Sequence, residues 1–196
     1  IENLSDSDDS VHMQQALSST EEIVNIGHAG TAMRFLTSYF ASKEDREVVL
    51  TGSERMKNRP IKILVDALKD LGADIEYMEK EGCPPLKIQG KKLNGGRVKM
   101  DGSVSSQYLS ALIMIAPTLK SGLEIELVGK VASVPYLTMT LKLIEHFGAK
   151  YVWTDNVIAI EEGEYQAKDY TIEADWSGAS YWYQIAALAE ESELSV

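Results

Sequence analysis

The sequence predicts an α/β protein made of repeated units, with helices buried and sheets facing outward. Internal repetition is the first observation behind this. From Gly30 to Ala73 the chain reads GTAMRFLTSYFA, then a strand-like REVVLTG, then RPIKILVDALKDLGA. From Ser105 to Ala149 it reads SSQYLSALIMIAP, then LEIELVG, then VPYLTMTLKLIEHFGA. Each run opens an apolar helix on small residues, passes through a strand ending in Gly, and starts a second helix at Pro that closes on Gly-Ala. A third copy opens at Asp175, where DWSGASYWYQIAALA matches DGSVSSQYLSALIMIA from Asp101, a spacing of roughly 74 residues. That period exceeds those of solenoid repeats and points to a supersecondary unit used several times.

Patterning is the second observation. Gln107–Ala116 is apolar nearly all round, the mark of a buried helix. Leu123–Val128, Asp74–Glu79 and Tyr170–Ala174 alternate apolar and polar residues, as strands with one wet face do. A doubly wound fold reads the other way, with its sheet sandwiched between helices. Element boundaries carry chemical signals. Ser5–Ser10 (SDSDDS) supplies an acidic N-cap region for the helix that follows. Pro60 and Pro135 sit at N1-type positions, and Gly72 and Gly148 at helix C-termini.

Composition sets outer bounds. The 196 residues are 44% hydrophobic and 25% charged, the make-up of an ordinary globular protein with a real core. No stretch approaches the roughly 20 apolar residues of a membrane span. The start, Ile1-Glu2-Asn3, has neither a basic n-region nor an apolar h-region, so no signal peptide is expected. A single cysteine, Cys83, cannot form an internal disulfide, and the cytoplasm is the expected compartment. The net charge of −11 argues against nucleic acid or an anionic membrane as partner. A small anion remains compatible with it, because basic groups can gather in a cleft. Arg55-Met56-Lys57-Asn58-Arg59 is the one dense basic cluster, and such clusters are more often solvated surface than site.

Helix N-termini present unpaired N–H groups and the positive end of the dipole, which suits phosphate. Ser105-Ser106-Gln107 stands where the second buried helix begins, and Gly30-Thr31 occupies the matching place in the first. Ser and Thr there can equally be plain N-caps. Two such starts, Ser133 before a third helix, and a nearby basic loop shift the balance toward an anion site. Arg pairs bidentately with carboxylate or phosphate, which Lys cannot do.

GHAGTAMR (Gly27–Arg34), LTGSERMKNRPIKILVDAL (Leu50–Leu68), DGSVSSQYLSAL (Asp101–Leu112), SVPYLTMTLKLIEHFGA (Ser133–Ala149) and ADWSGASYW (Ala174–Trp182) together resemble the EPSP synthase family of enolpyruvyl transferases. NLSDSDDSVHM (Asn3–Met13) is a weaker match at the start. The resemblance spans nearly the whole chain in family order. It implies an inside-out α/β barrel of βαβαββ units, three to a domain, with the active site between two domains. Residues 1–170 would form most of the first domain and 171–196 the start of the second. It implies transfer of the enolpyruvyl group of phosphoenolpyruvate to the 5-hydroxyl of shikimate 3-phosphate through a tetrahedral intermediate, with no metal or organic cofactor. Carried over by position, Ser105, Ser106 and Ser133 would hold the shikimate phosphate. Gln107 and Tyr136 would touch the shikimate body, and Gly30 and Arg59 would face phosphoenolpyruvate. Thr31 and Arg34 read as structural. No catalytic residue is assigned within the chain, and a monomer is expected.

Several positions depart from the family. It usually carries Asn at His28, Pro at Phe35 and Lys at Val134. His28 reads first as a plain replacement and second as an added cation, and Phe35 leaves glyphosate sensitivity open. His12 and His146 read as helix-surface residues, and Asp175 as structural at the domain crossover. The family's N-terminal glycine–serine–lysine motif is not in the sequence, nor are the second-domain residues that complete catalysis, so the chain alone is expected to be inactive. The Leu17–Ile23 link is short for a first unit. A sister family, UDP-N-acetylglucosamine enolpyruvyl transferase, typically has a reactive Cys near the position of Glu54; here Cys83 lies elsewhere, in a turn, where cysteines are usually inert. A non-catalytic module binding phosphorylated metabolites is the alternative of a different class.

Overall fold

The computed structural model describes residues 1–195. Contacts divide the chain into two units, 6–168 and a second formed by 1–5 with 169–196.

The larger unit opens on α1 (Asp8–Ser18), with Asp8 and Asp9 in its first turn, where acidic groups complement the dipole. The link after it runs directly into β1 (Ile23–Asn25), and Arg46 donates to the carbonyls of Ser19, Thr20 and Glu21. Then one sequence of elements occurs twice. The first pass is β1, α2 (Gly30–Ser42), β2 (Glu47–Thr51), α3 (Lys62–Asp70), β3 (Asp74–Tyr77) and β4 (Leu86–Gln89). The second is β5 (Asn94–Asp101), α4 (Ser106–Ile115), β6 (Lys120–Val128), α5 (Val134–His146), β7 (Tyr151–Thr154) and β8 (Val157–Ile160). The sheets have matching orders, β1-β2-β4-β3 and β5-β6-β8-β7. In each, the first pair is parallel and the other two are antiparallel. The expected βαβαββ unit is therefore present twice.

Burial follows the predicted inversion. In α4, all residues from Tyr108 to Ile115 except Met114 are buried. The strands bury alternate residues, Val48 and Leu50 in β2 and Leu123, Ile125 and Leu127 in β6, so each sheet keeps one wet face. Helix α4 packs chiefly between α2 and α5 and touches α3. One continuous apolar core runs through both repeats. Gly72 (φ +94°) and Gly148 (φ +99°) follow the last turns of α3 and α5 in the left-handed conformation that ends helices.

Two expectations are corrected. Pro135 is in the first turn of α5, but Pro60 precedes Ile61, the N-cap of α3, and so lies outside that helix. Tyr170–Ala174 alternates like a strand yet forms none. In the smaller unit only Thr171 bridges Glu2, and a one-residue partner cannot propagate a ladder. In the same unit α6 (Trp176–Leu188) forms as the repeat predicts, with the Asp175 carboxylate accepting from the Gly178 N–H at 2.9 Å. Unlike its counterpart α4, it buries no residue, because the two short segments of its unit supply no sheet to cover it. Among the described residues no helix is long and apolar enough to cross a membrane.

Leu109, fully buried at the centre of α4, tests the helix-inside arrangement. Leu109→Ala is expected to cost about 2–5 kcal/mol of stability by removing apolar area and leaving a cavity. Leu17→Ala, on the exposed side of α1, should change it by no more than about 0.5 kcal/mol. Urea unfolding of both variants checks the contrast.

Candidate functional site

The parallel β1–β2 pair brings two turns together at the ends of its strands. Gly27 (φ +56°) leads from β1 towards α2, and Gly52 follows β2. The Ser53 N–H donates to the Gly27 carbonyl at 2.9 Å. A Cβ at Gly52 would lie 2.7 Å from that carbonyl and 2.9 Å from the Met56 Cβ, so the close approach requires glycine. After Gly52 the chain makes a single 3₁₀ turn, Met56–Asn58, and delivers Arg59 to the N-terminus of α2.

There the Arg59 guanidinium lies against Gly30, the first residue of α2. A Cβ at Gly30 would collide with it, 2.8 Å from its Cζ. The basic cluster thus divides by direction. Arg55 and Arg59 line a cleft of about 260 Å³ with His28, Ser53 and Met56. Lys57 instead pairs with Glu79 at 3.0 Å and Glu54 at 3.4 Å, which raise its pKa above the usual lysine value.

The cleft is electropositive. Partial burial, then the charges of Arg34 and Arg55, push Arg59 below its ordinary pKa, against the opposing influence of Tyr108 and Asp9. Arg34 is itself buried. It donates to the Gly30 carbonyl at 2.6 Å and sits 5.3 Å from the centre of the Tyr108 ring, while its Nε has no hydrogen-bond partner. Among the described residues no carboxylate lies within ion-pair distance of Arg34, Arg55 or Arg59. A guanidinium cluster without a counter-ion, at the positive end of a helix, suits an anion.

The second repeat adds to this rim. Gln107, in the first turn of α4, donates to Thr31 Oγ1 at 3.0 Å, and Tyr108 donates its hydroxyl to the Pro60 carbonyl at 2.7 Å. These bonds tie the start of α4 to the start of α2 and to the Arg59–Pro60 segment. Ser105 is the N-cap residue of α4 and Ser106 its first helical residue. The Ser105 hydroxyl makes no capping bond, unlike Asp175 at α6, so the plain-cap reading loses its geometric support at Ser105. Ser133, N-cap of α5, likewise makes no capping bond and is left-handed (φ 57°), a conformation uncommon for any residue but glycine and met at functional positions. The adjacent Ala132 N–H donates to the Gly102 carbonyl at 2.8 Å, placing this segment beside the loop that leads into α4. Ser110 and Thr140, 2.8 Å apart, join the second turns of α4 and α5. Tyr136 stands exposed in the first turn of α5.

Of the residues singled out in the sequence, the structure brings Gly30 and Arg59 into contact. It joins Gln107 to the start of α2 and sets Ser105, Ser106, Ser133 and Tyr136 at the starts of the two neighbouring helices. Ser53 and Arg55 were missed as site residues. Arg55 was visible only as one of five residues in a basic loop. Ser53 had no signal of its own, since its place in the cleft depends on pairing between β1 and β2. Cys83 is buried and free, and Glu54 is engaged with Lys57, so no reactive thiol stands at the basic loop.

Fold and site define an inside-out α/β repeat protein that sets the starts of α2 and α4 beside an arginine cluster. The model of the family described as EPSP synthase (3-phosphoshikimate 1-carboxyvinyltransferase) matches residues 2–196, and the chain belongs to that family. A relative named 3-phosphoshikimate 1-carboxyvinyltransferase from Bacteroides fragilis (strain YCH46) is 49% identical over 197 residues, covering 100% of this chain and 48% of the relative. One of the same name from Haemophilus influenzae (strain PittEE) is 44% identical over 168 residues, covering 83% of this chain and 39% of the relative. The chain thus spans about half the length of its curated relatives. A solved EPSP synthase structure from Acinetobacter baumannii shares the fold, with a TM-score of 0.74 at 21% identity over 88% of this chain and 38% of its own.

Gly30→Ala tests the contact at the head of α2. The added methyl should displace the flexible Arg59 side chain without unfolding the protein. The expected outcome is a stability change below about 1 kcal/mol, since glycine is the poorer helix former, with at least a tenfold loss of inorganic phosphate affinity. Thermal melts and phosphate titrations of wild type and variant check both.

Proposed function

We propose that this chain forms one wall of an active site that transfers the enolpyruvyl group of phosphoenolpyruvate to shikimate 3-phosphate. The 5-hydroxyl gives up its proton as its oxygen adds to C2 of phosphoenolpyruvate, and C3 gains a proton. The tetrahedral intermediate then loses a C3 proton and phosphate, giving 5-enolpyruvylshikimate 3-phosphate. The observation that carries this reading is the meeting of the α2 and α4 N-termini beside an arginine cluster with no carboxylate at ion-pair distance among the described residues.

The roles follow position and chemistry. Arg59, over the bare backbone of Gly30, takes the carboxylate or phosphate of phosphoenolpyruvate. Ser105, Ser106 and Ser133 offer hydroxyl and backbone N–H groups to the phosphate of the second substrate, with Gln107 and Tyr136 against its ring. Arg34 supplies charge from behind the site. All of these are binding groups. Catalysis by positioning requires both walls of the cleft, so the chain by itself binds without turnover. Residues 1–170 belong to the first domain and 171–196 begin the second; the fall in contacts at 168/169 supports a boundary there, although residues 1–5 group with the later segment. The enzyme works as a cytoplasmic monomer.

In a protein of the relatives' full length, Arg59→Ala should raise the KM for phosphoenolpyruvate more than that for shikimate 3-phosphate. Loss of a charge-assisted bond worth about 1.5–3 kcal/mol corresponds to roughly 10- to 150-fold. Steady-state kinetics with each substrate varied in turn checks this, and equal losses would remove Arg59 from the role.

Ser106→Ala separates phosphate binding from a purely structural place in the first turn of α4. As a ligand, Ser106 should contribute about 1.5–3 kcal/mol to binding shikimate 3-phosphate and almost nothing to unphosphorylated shikimate. As a residue of the helix's first turn and nothing more, it would change stability by no more than about 0.5 kcal/mol and leave ligand preference alone. Paired titrations beside a melting curve distinguish the two.

A further inference from the structure

His28 is exposed at the turn before α2 and lines the same cleft as Arg55 and Arg59, opposite no carboxylate. Its Nδ1 lies 2.8 Å from Ser53 Oγ. Which atom donates follows from the other bonds of Ser53. A serine hydroxyl has one proton and two lone pairs. Ser53 Oγ already accepts from the Met56 N–H at 3.4 Å. Were it also to accept from Nδ1–H, its own proton would need a third partner, and the described residues offer none. Counting protein groups alone, the arrangement that leaves no proton without a partner has the hydroxyl donating to Nδ1. A neutral imidazole that accepts at Nδ1 carries its proton on Nε2.

We propose that Ser53 sets His28 in the Nε2–H tautomer, and that His28 thereby serves as an added neutral N–H donor to the anion held by Arg59. The inference rests on the reading of this cleft as the phosphoenolpyruvate site. His28 is a ligand-touching residue in this scheme and Ser53 a positioning residue acting through it. The backbone makes the pairing durable, because Ser53 N–H bonds the carbonyl of Gly27, the residue before His28. Two guanidiniums supply charge to the anion, and His28 adds a directed bond without further like charge.

The test uses this chain with ¹⁵N-labelled histidine, phosphoenolpyruvate as probe, and variants at three positions. In wild type the imidazole nitrogen shifts should report an unprotonated Nδ1 and a protonated Nε2 for His28. Ser53→Ala should release it to a mixture of tautomers. Phosphoenolpyruvate should perturb the His28 Nε2 signal. His28→Phe, which keeps a ring but no donor, should weaken the probe roughly 10- to 150-fold, the worth of one hydrogen bond to an anion. His28→Asn, which keeps an N–H donor, should recover most of that loss, whereas a ring needed only for packing would be served better by Phe. A protonated Nδ1 in wild type, or His28→Phe binding as tightly as wild type while Arg59→Ala binding is lost, would overturn the proposal and leave the cleft assignment standing. Binding unaffected by Arg59→Ala would overturn the cleft assignment and the role of His28 with it.

Discussion

The structure depends on the burial of α4. A helix apolar on every side must be enclosed, and α2 and α5 enclose it. With helices in the interior, each sheet can cover the core with one face only, which is why the strands alternate instead of reading as continuous apolar runs. Enclosure also sets side by side helices that are far apart in the chain. The Gln107–Thr31 bond links first turns that lie 76 residues apart. Each helix brings the unsatisfied N–H groups of its own start, and together they make a rim that no single repeat contains.

Charge on that rim runs against the rest of the molecule. In a chain of net charge −11, three arginines share one region with no carboxylate at ion-pair distance among the described residues. Arg34 is the least ordinary of them, because an unpaired buried charge costs several kcal/mol. The Gly30 carbonyl, the Tyr108 ring and the dipolar surroundings offset part of that cost. A bound anion would offset more. The acidic Lys57 partners, Glu54 and Glu79, draw one basic group of the same loop away from the rim, so the loop serves both surface and site.

The repeat and its inversion were legible from apolar patterning, as were the helix ends at Gly72 and Gly148, where left-handed backbone favours glycine. Patterning failed where a partner decides the outcome. Tyr170–Ala174 has the alternation of a strand, but a ladder needs a neighbour, and Thr171 alone finds one. Helix α6 has the apolar surface of a buried helix and forms as one, yet periodicity could not say whether its unit covers it. At Pro60 the helix start is displaced by two residues, to Lys62, because Ile61 (φ −136°) lies outside the helical region and stands as the N-cap.

What the sequence determined by itself is local or periodic: the helix starts and stops, the twofold unit, the candidate serines, and Gly30 and Arg59 by resemblance. These depend on residues near one another, whose propensities act without knowledge of the fold. Only the tertiary structure decided that Arg55 and Arg59 face the cleft while Lys57 turns away, that Arg34 lacks a carboxylate, and that Ser53 meets His28. Each of those outcomes depends on which strands pair and which helix starts become neighbours. Such contacts join residues far apart in the chain, 25 positions for Ser53 and His28 and 76 for Gln107 and Thr31, and no local signal encodes them.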